Sequence, residues 1–137
     1  MRQRAAIAAL PDGEYRCETH LDNTGGAPEP LTLRLRLTIA GDGIEADFTG
    51  CPPQVQGPTN LGPAHASTAV FTMTKALLDP HGPINAGAMR PLKVIVPEGT
   101  MLNARSPAAC GAIGEVRRAL EGLVMGALGR AVPDRAM

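Results

Sequence analysis

LTLRLRLTI, residues 31–39, alternates apolar and polar side chains without a break. Leu31, Leu33, Leu35, Leu37 and Ile39 share one face, and Thr32, Arg34, Arg36 and Thr38 share the other. Side chains of a strand point alternately to its two faces, so this pattern predicts an antiparallel strand with one buried and one wet side. Gly41-Asp42-Gly43 follows, and residues that tolerate positive φ there predict a hairpin turn. Ile44, Ala46 and Phe48 carry the apolar face onto the returning strand. Upstream, EYRCETHL (14–21) alternates too, with Tyr15, Cys17, Thr19 and Leu21 opposite Glu14, Arg16, Glu18 and His20. Residues 14–48 therefore read as a three-stranded meander.

Outside the meander the period changes. Residues 2–10 read as the end of a helix stopped by Pro11-Asp12-Gly13. Residues 64–78, AHASTAVFTMTKALL, are apolar almost all round, as in a buried helix. LKVIVPEG (92–99) reads as a fourth strand with a turn after it. Residues 108–129 place Ile113, Val116, Leu120, Leu123, Val124 and Leu128 at helical spacing, and the glycines among them suit close helix packing. The order β-β-β-α-β-α is an α+β layout: an antiparallel meander with an additional strand, packed against two main helices. A chain of 137 residues is expected to form a single domain over 1–137.

Composition excludes several function classes. Thirteen basic and thirteen acidic residues leave no net charge, which argues against nucleic-acid and anionic-membrane partners. Tyr15, Phe48 and Phe71 are the only aromatics, too few for base-stacking platforms. Cys17, Cys51 and Cys110 are scattered and odd in number, so neither a structural zinc site nor a disulfide framework is expected. No apolar run reaches membrane-spanning length, and a reduced cytoplasmic protein is the expectation. His20, His65 and His81 lack metal-ligand spacing, and no P-loop, GxGxxG or GxSxG motif is present. No metal is expected on this chain. Cys51 has no basic residue in its own loop to lower its pKa, so a plain small side chain is its expected role.

Catalytic residues are not identifiable from residue types alone. The candidate substrate-loop residues are polar side chains on Pro/Gly-rich loops: Asp47, Thr49, Gln54 and Asn60 in the first, Asn85 and Arg90 in the second, Glu98 and Asn103 in the third. Loops on a rigid scaffold commonly carry binding residues, although Asn and Asp also serve simply to satisfy turn backbones.

The same loops carry a resemblance. DGEYRCETHLDN (12–23), GDGIEADFTGCPPQVQGPTN (41–60), LLDPHGPINAGAMRPLKVIVPEGTMLN (77–103) and SPAAC (106–110) resemble, in order, the motifs of the hydantoinase B/oxoprolinase family. LVMGALGRAVPDR (123–135) is similar to the family's helix and following PDR segment. Two departures stand out. Cys51 occupies the place of a small hydroxyl residue, and Gly114-Glu115-Val116-Arg117-Arg118 replaces an Asn-Val-Glu-Thr-like run. The resemblance implies a middle portion or short subunit of an ATP-dependent cyclic-amide hydrolase acting on hydantoins or 5-oxoproline, with carboxylase large subunits as relatives. It also implies that the chain lends loops to a composite active site and is inactive alone. No cofactor is expected on this chain. ATP and a divalent metal are expected on the missing portion or on a hydantoinase A-type ATP-binding partner, with homo-oligomers as a further expectation. The alternative is a non-catalytic assembly module of such a complex. The 108–129 helix and the 1–10 segment are the surfaces expected to meet a partner.

Overall fold

The computed structural model describes residues 2–21, 31–55, 59–62, 64–78, 80, 89–106, 110 and 113–131, with side chains from residue 5 in the first helix and from residue 116 in the last. Seven elements follow in order: α1 (Arg2–Ala8), β1 (Gly13–Leu21), β2 (Leu31–Ala40), β3 (Gly43–Asp47), α2 (Ala64–Leu78), β4 (Leu92–Ile95) and α3 (Ile113–Ala131). The strands form one sheet in the order β1-β2-β3-β4. The meander is antiparallel, with Cys17 opposite Leu35 and Leu37 opposite Ala46. β4 lies parallel to β3, with Ala46 opposite Val94, and the sheet is therefore mixed. Parallel neighbours need a long crossover, and the segment containing α2 supplies it.

The alternation read from 31–39 holds along β2. Leu33, Leu35, Leu37 and Ile39 are all at most 2% exposed, and Arg34 and Arg36 face outward. Fully burying each leucine contributes roughly 1.5–3 kcal/mol, so a register slip by one residue would forfeit the face as a set. Gly41 has φ of 60°, and no non-glycine residue among those described has positive φ. Positive φ at the first central position alone matches a type II′ turn, whose twist suits a hairpin. Asp12 reinforces it, accepting the Gly41 N–H on Oδ1 at 3.0 Å.

The three described helices α1, α2 and α3 sit on the apolar face. α3 crosses β1 and β2 and packs on α2, while α1 lies against α2 and β3. Gly126 permits the closest approach, since a Cβ there would sit 2.9 Å from Cys17 Sγ; one at Gly122 would meet nothing within 4 Å. Close packing thus explains Gly126 and not Gly122.

Three expectations are corrected. β4 is shorter than 92–99, because Pro97 has no N–H to continue a ladder. The last helix does not run unbroken from 108, because Cys110 lies outside it and the described helix is Ile113–Ala131. Its aliphatic stripe is not offered to a partner: Val116, Leu120, Leu123, Val124 and Leu128 are all 0% exposed within this chain. Met89 is the one large hydrophobic residue exposed among the described residues. An interface on α3 would instead have to use its polar flank.

Candidate functional site: two zippered loops and a charged sheet face

β3 leaves the sheet at Asp47, and a chain of small devices makes it do so. Asp47 Oδ1 accepts the Thr49 N–H at 2.8 Å, an Asx turn. Phe48, 0% exposed, anchors the turn in the core while its N–H still donates to Ile95 O in β4. Gly50 has φ of 100°, and the Cys51 N–H donates to Phe48 O, as in a type II turn. An L side chain at Gly50 would be strained.

Ending β3 there leaves β2 without a strand on that side at Arg34. The Cys51 thiol fills the gap: the Arg34 N–H donates to Sγ at 3.4 Å, and Sγ–H donates to Arg34 O at 3.3 Å. One side chain thus replaces a rung of the ladder. A hydroxyl can donate and accept in the same way, which accounts physically for cysteine in the place of a small hydroxyl residue. Burial pushes the Cys51 thiol up from its ordinary pKa, more than the neighbouring Arg34 lowers it. A protonated thiol is the form this double contact needs.

The first and third loops then zip together. The Gln54 N–H donates to Gly99 O, Met101 N–H to Pro52 O, Leu61 N–H to Met101 O and Ala104 N–H to Leu61 O. Pro53 and Thr100 form an isolated antiparallel bridge. Side chains complete the zipper. Asn60, 0% exposed, holds both backbone groups of Val55: Oδ1 accepts its N–H at 2.9 Å and Nδ2 donates to its carbonyl at 3.0 Å. Gln54 Oε1 accepts the Arg105 N–H at 2.8 Å, and Asn103 Nδ2 donates to Val96 O at 3.0 Å. Gly99, with φ of 88°, turns Pro97–Thr100 back on itself.

The candidate residues therefore divide. Asn60, Gln54 and Asn103 turn polar ends onto the backbone of the two loops. Asp47 braces its own turn and pairs with Arg36, Oδ2 lying 2.7 Å from Nη2. Burial raises its pKa, but the Thr49 hydroxyl and N–H and the Arg36 guanidinium outweigh that and hold it below 3.8. Thr49 and Glu98 remain exposed on the platform, Glu98 pairing with Arg105 at 3.0 Å. Arg90 is exposed just before β4, away from the zipper's hydrogen bonds. Asn85 and His81 lie outside the described residues. No group of three or more His, Cys, Asp or Glu able to hold a metal ion is found among the described residues.

Residue-by-residue reading did not single out the polar face of the meander. Arg16, Glu18, Arg34, Arg36, Asp47 and Thr49 line a cleft of about 280 Å³ there. Arg34 Nε lies 3.2 Å from Glu18 Oε1, and Nη1 donates to Gly50 O at 3.2 Å, tying the face to the loop. The signal was available in the alternation itself, since RLR places two arginines on the wet side. No described helix is long and apolar enough to cross a membrane.

Known proteins share this fold. The ATP-dependent caprolactamase of Pseudomonas jessenii superposes with a TM-score of 0.86 at 28% identity, over 97% of this chain and 23% of that one. An acetone carboxylase structure shares the fold, with a TM-score of 0.76 at 18% identity over 98% of this chain. A protein of Pseudomonas sp. (strain NS671), assigned provisionally as the B-type subunit of a D-/L-hydantoinase, is 35% identical over 144 residues, covering 96% of this chain and 24% of its own length. 5-Oxoprolinase 1 of Arabidopsis thaliana is 37% identical over 79 residues, 56% of this chain and 6% of that one. The chain thus spans about a quarter or less of the length of these relatives. The family model for hydantoinase B/oxoprolinase matches residues 1–137, and with the zippered loops built from its motifs, the chain belongs to the hydantoinase B/oxoprolinase family.

Proposed function

We infer that this chain is a segment or small subunit of an ATP-dependent cyclic-amide hydrolase of the hydantoinase/5-oxoprolinase type, and that its loops form one wall of a composite active site. The observation that carries the reading is the zipper of Pro52, Gln54 and Leu61 with Gly99, Met101 and Ala104. It holds two motif-rich loops as one rigid platform and leaves Thr49 and Glu98 on its surface. Pre-positioned groups on a rigid frame are what a binding wall requires. An unactivated lactam is a poor electrophile, so coupling to ATP is chemically reasonable. The ATP site and a divalent metal are assigned to the rest of the polypeptide or to a hydantoinase A-type partner, within a cytoplasmic oligomeric complex. Support for a partner comes from the relative described as one subunit of a hydantoinase and from the lengths of the relatives.

A second reading has its own observation. Gln54, Asn60 and Asn103 spend their polar ends on the backbone, as an assembly scaffold would. One experiment separates the two. The complete enzyme carrying this segment, with its ATP-binding partner, is assayed for ATP-dependent ring opening of hydantoin and 5-oxoproline. Glu98→Gln should lower kcat with an unchanged unfolding midpoint, and Thr49→Val should lower kcat by more than the small stability loss from its Asp47 contact accounts for. Full activity in both variants would favour the scaffold, and no ATP-dependent turnover on either ring would overturn the substrate class.

A further inference from the structure

β1 is nine residues long and forms one edge of the sheet; no described strand pairs with its outer side. The Arg34 N–H of β2 points to the β3 side, where Cys51 takes it. The odd-numbered residues of β2 therefore bond β1, and their partners there are also odd-numbered, Cys17 opposite Leu35 among them. Glu14, Arg16, Glu18 and His20 are left to turn their N–H and C=O groups to the open edge. Arg130 bears this out, since its Nη1 donates to Arg16 O. α3 borders the same edge. Gly122, Gly126 and Arg130 recur at helical spacing on its exposed flank, and a Cβ at Gly126 would sit 2.9 Å from Cys17 Sγ. Long unpaired edges are templates for pairing with another chain, and proteins often guard them with a charge, as Arg130 does here.

We propose that β1 pairs antiparallel with β1 of a second copy of this chain, about a two-fold axis at Cys17. The charge order of the strand selects this partner and this register. Cys17 is the midpoint of Gly13–Leu21, so a two-fold there pairs the whole strand. Arg16 then faces Glu18 of the second copy, and Glu14 faces His20, each contact made twice. The paired residues are the even-numbered ones whose backbone groups point outward, so the ladder closes as well. A slip of two residues either way sets Arg16 against Arg16 and Glu14 against Glu18, or Glu18 against Glu18 and Arg16 against His20. Like charges directly opposite destabilise a strand pair, and a slip of one breaks the ladder. In the pair, the Glu18 N–H of the second copy replaces Arg130 on Arg16 O. The exposed flank of α3 meets its own copy above the joined sheet, and Gly122 and Gly126 lack the side chains that would hold the helices apart. The pairing does not rest on the activity proposed above.

The test is oxidative cross-linking of the complete protein that carries this chain. Opposed residues of a non-hydrogen-bonded antiparallel pair have Cα atoms about 4.5 Å apart, within the range a disulfide spans. Diamide, which takes two electrons and two protons from a pair of thiols, should therefore join Cys17 to Cys17. Mass spectrometry identifies that peptide, which can come only from two copies. Arg16→Glu and Glu18→Arg each place like charges at both symmetry-related contacts and should cut the yield about tenfold. An equal mixture of the two variants places opposite charges at both contacts and should restore the parent yield. The same two variants are low apart and high together, a pattern that local damage to either one does not produce; thermal midpoints confirm that both are folded. No Cys17–Cys17 link in the parent would overturn the proposal, as it would if another segment of the polypeptide or another protein occupied the edge. So would a yield indifferent to the charge changes, or a mixture of folded variants that restores nothing.

Discussion

Replacing Cys51 tests the claim that one thiol stands in for a rung of the sheet. The residue is 8% exposed and holds both the N–H and the carbonyl of Arg34. Each hydrogen bond of ordinary strength contributes about 0.5–1.5 kcal/mol, and sulfur sits at the weak end. Cys51→Val removes both bonds yet keeps an apolar side chain of similar bulk, so it should destabilise by about 1–2 kcal/mol. Cys51→Ala removes them and also leaves space, so it should lose somewhat more. Cys51→Ser keeps a donor and an acceptor on a slightly shorter reach and should stay within about 1 kcal/mol of the parent. Urea unfolding followed by circular dichroism gives the three differences, provided the slopes with denaturant agree. The order Ser, then Val, then Ala is the expected outcome. A Val variant as stable as the parent, or a Ser variant as damaged as Ala, would refute the hydrogen-bonding account and leave packing alone.

Two further outcomes follow from the geometry. On α3, Gly122→Ala should stabilise by up to about 1 kcal/mol because nothing lies within 4 Å, whereas Gly126→Ala should lose that gain against Cys17 Sγ at 2.9 Å and recover it with Cys17→Ala; a double-mutant cycle by chemical denaturation checks the coupling. Asp47 has its folded-state pKa held below 3.8, so its contribution is present above that pH and is lost as pH falls through the folded value; the stability gap between the parent and Asp47→Asn should be full at pH 7 and close progressively in acid, by denaturation at several pH values.

The sheet was legible because its signal is short-range. Nine alternating residues in β2 are read without knowing what packs on them, and Gly41 marks its own turn. α2 was equally clear, from an apolar run bounded by breakers. What packs on what was not. The stripe on α3 has the same periodicity whether it meets a partner or the sheet of its own chain, and only the tertiary arrangement shows Leu120 and Val124 covered by β1, β2 and α2. The parallel pairing of β4 was hidden for the same reason, since LKVI fits either direction. Among the site residues, a turn-bracing Asn and a ligand-binding Asn are the same letter. Asn60 was separable only by finding both its amide atoms on Val55.

That distinction changes where chemistry should be sought. DFTG is accounted for by an Asx turn, a core anchor and a positive-φ glycine, and PEGTMLN by a second glycine turn and the Asn103 brace. These motifs describe a backbone path, so their presence speaks first for the fold. Differences in reaction among proteins of this fold then have to lie in groups that bracing does not consume. Among the described residues the surface candidates are Arg90 before β4, Thr49 and Glu98 on the platform, and the arginines of the sheet face, all but Arg90 already holding contacts to neighbouring groups. Cys51 illustrates the point from the other side. It departs from the expected residue type at a hallmark position, yet the departure preserves a donor and an acceptor and leaves the path unchanged. A substitution that removed both would disturb the junction of meander and loop, and with it the position of every exposed group downstream, before it touched any substrate.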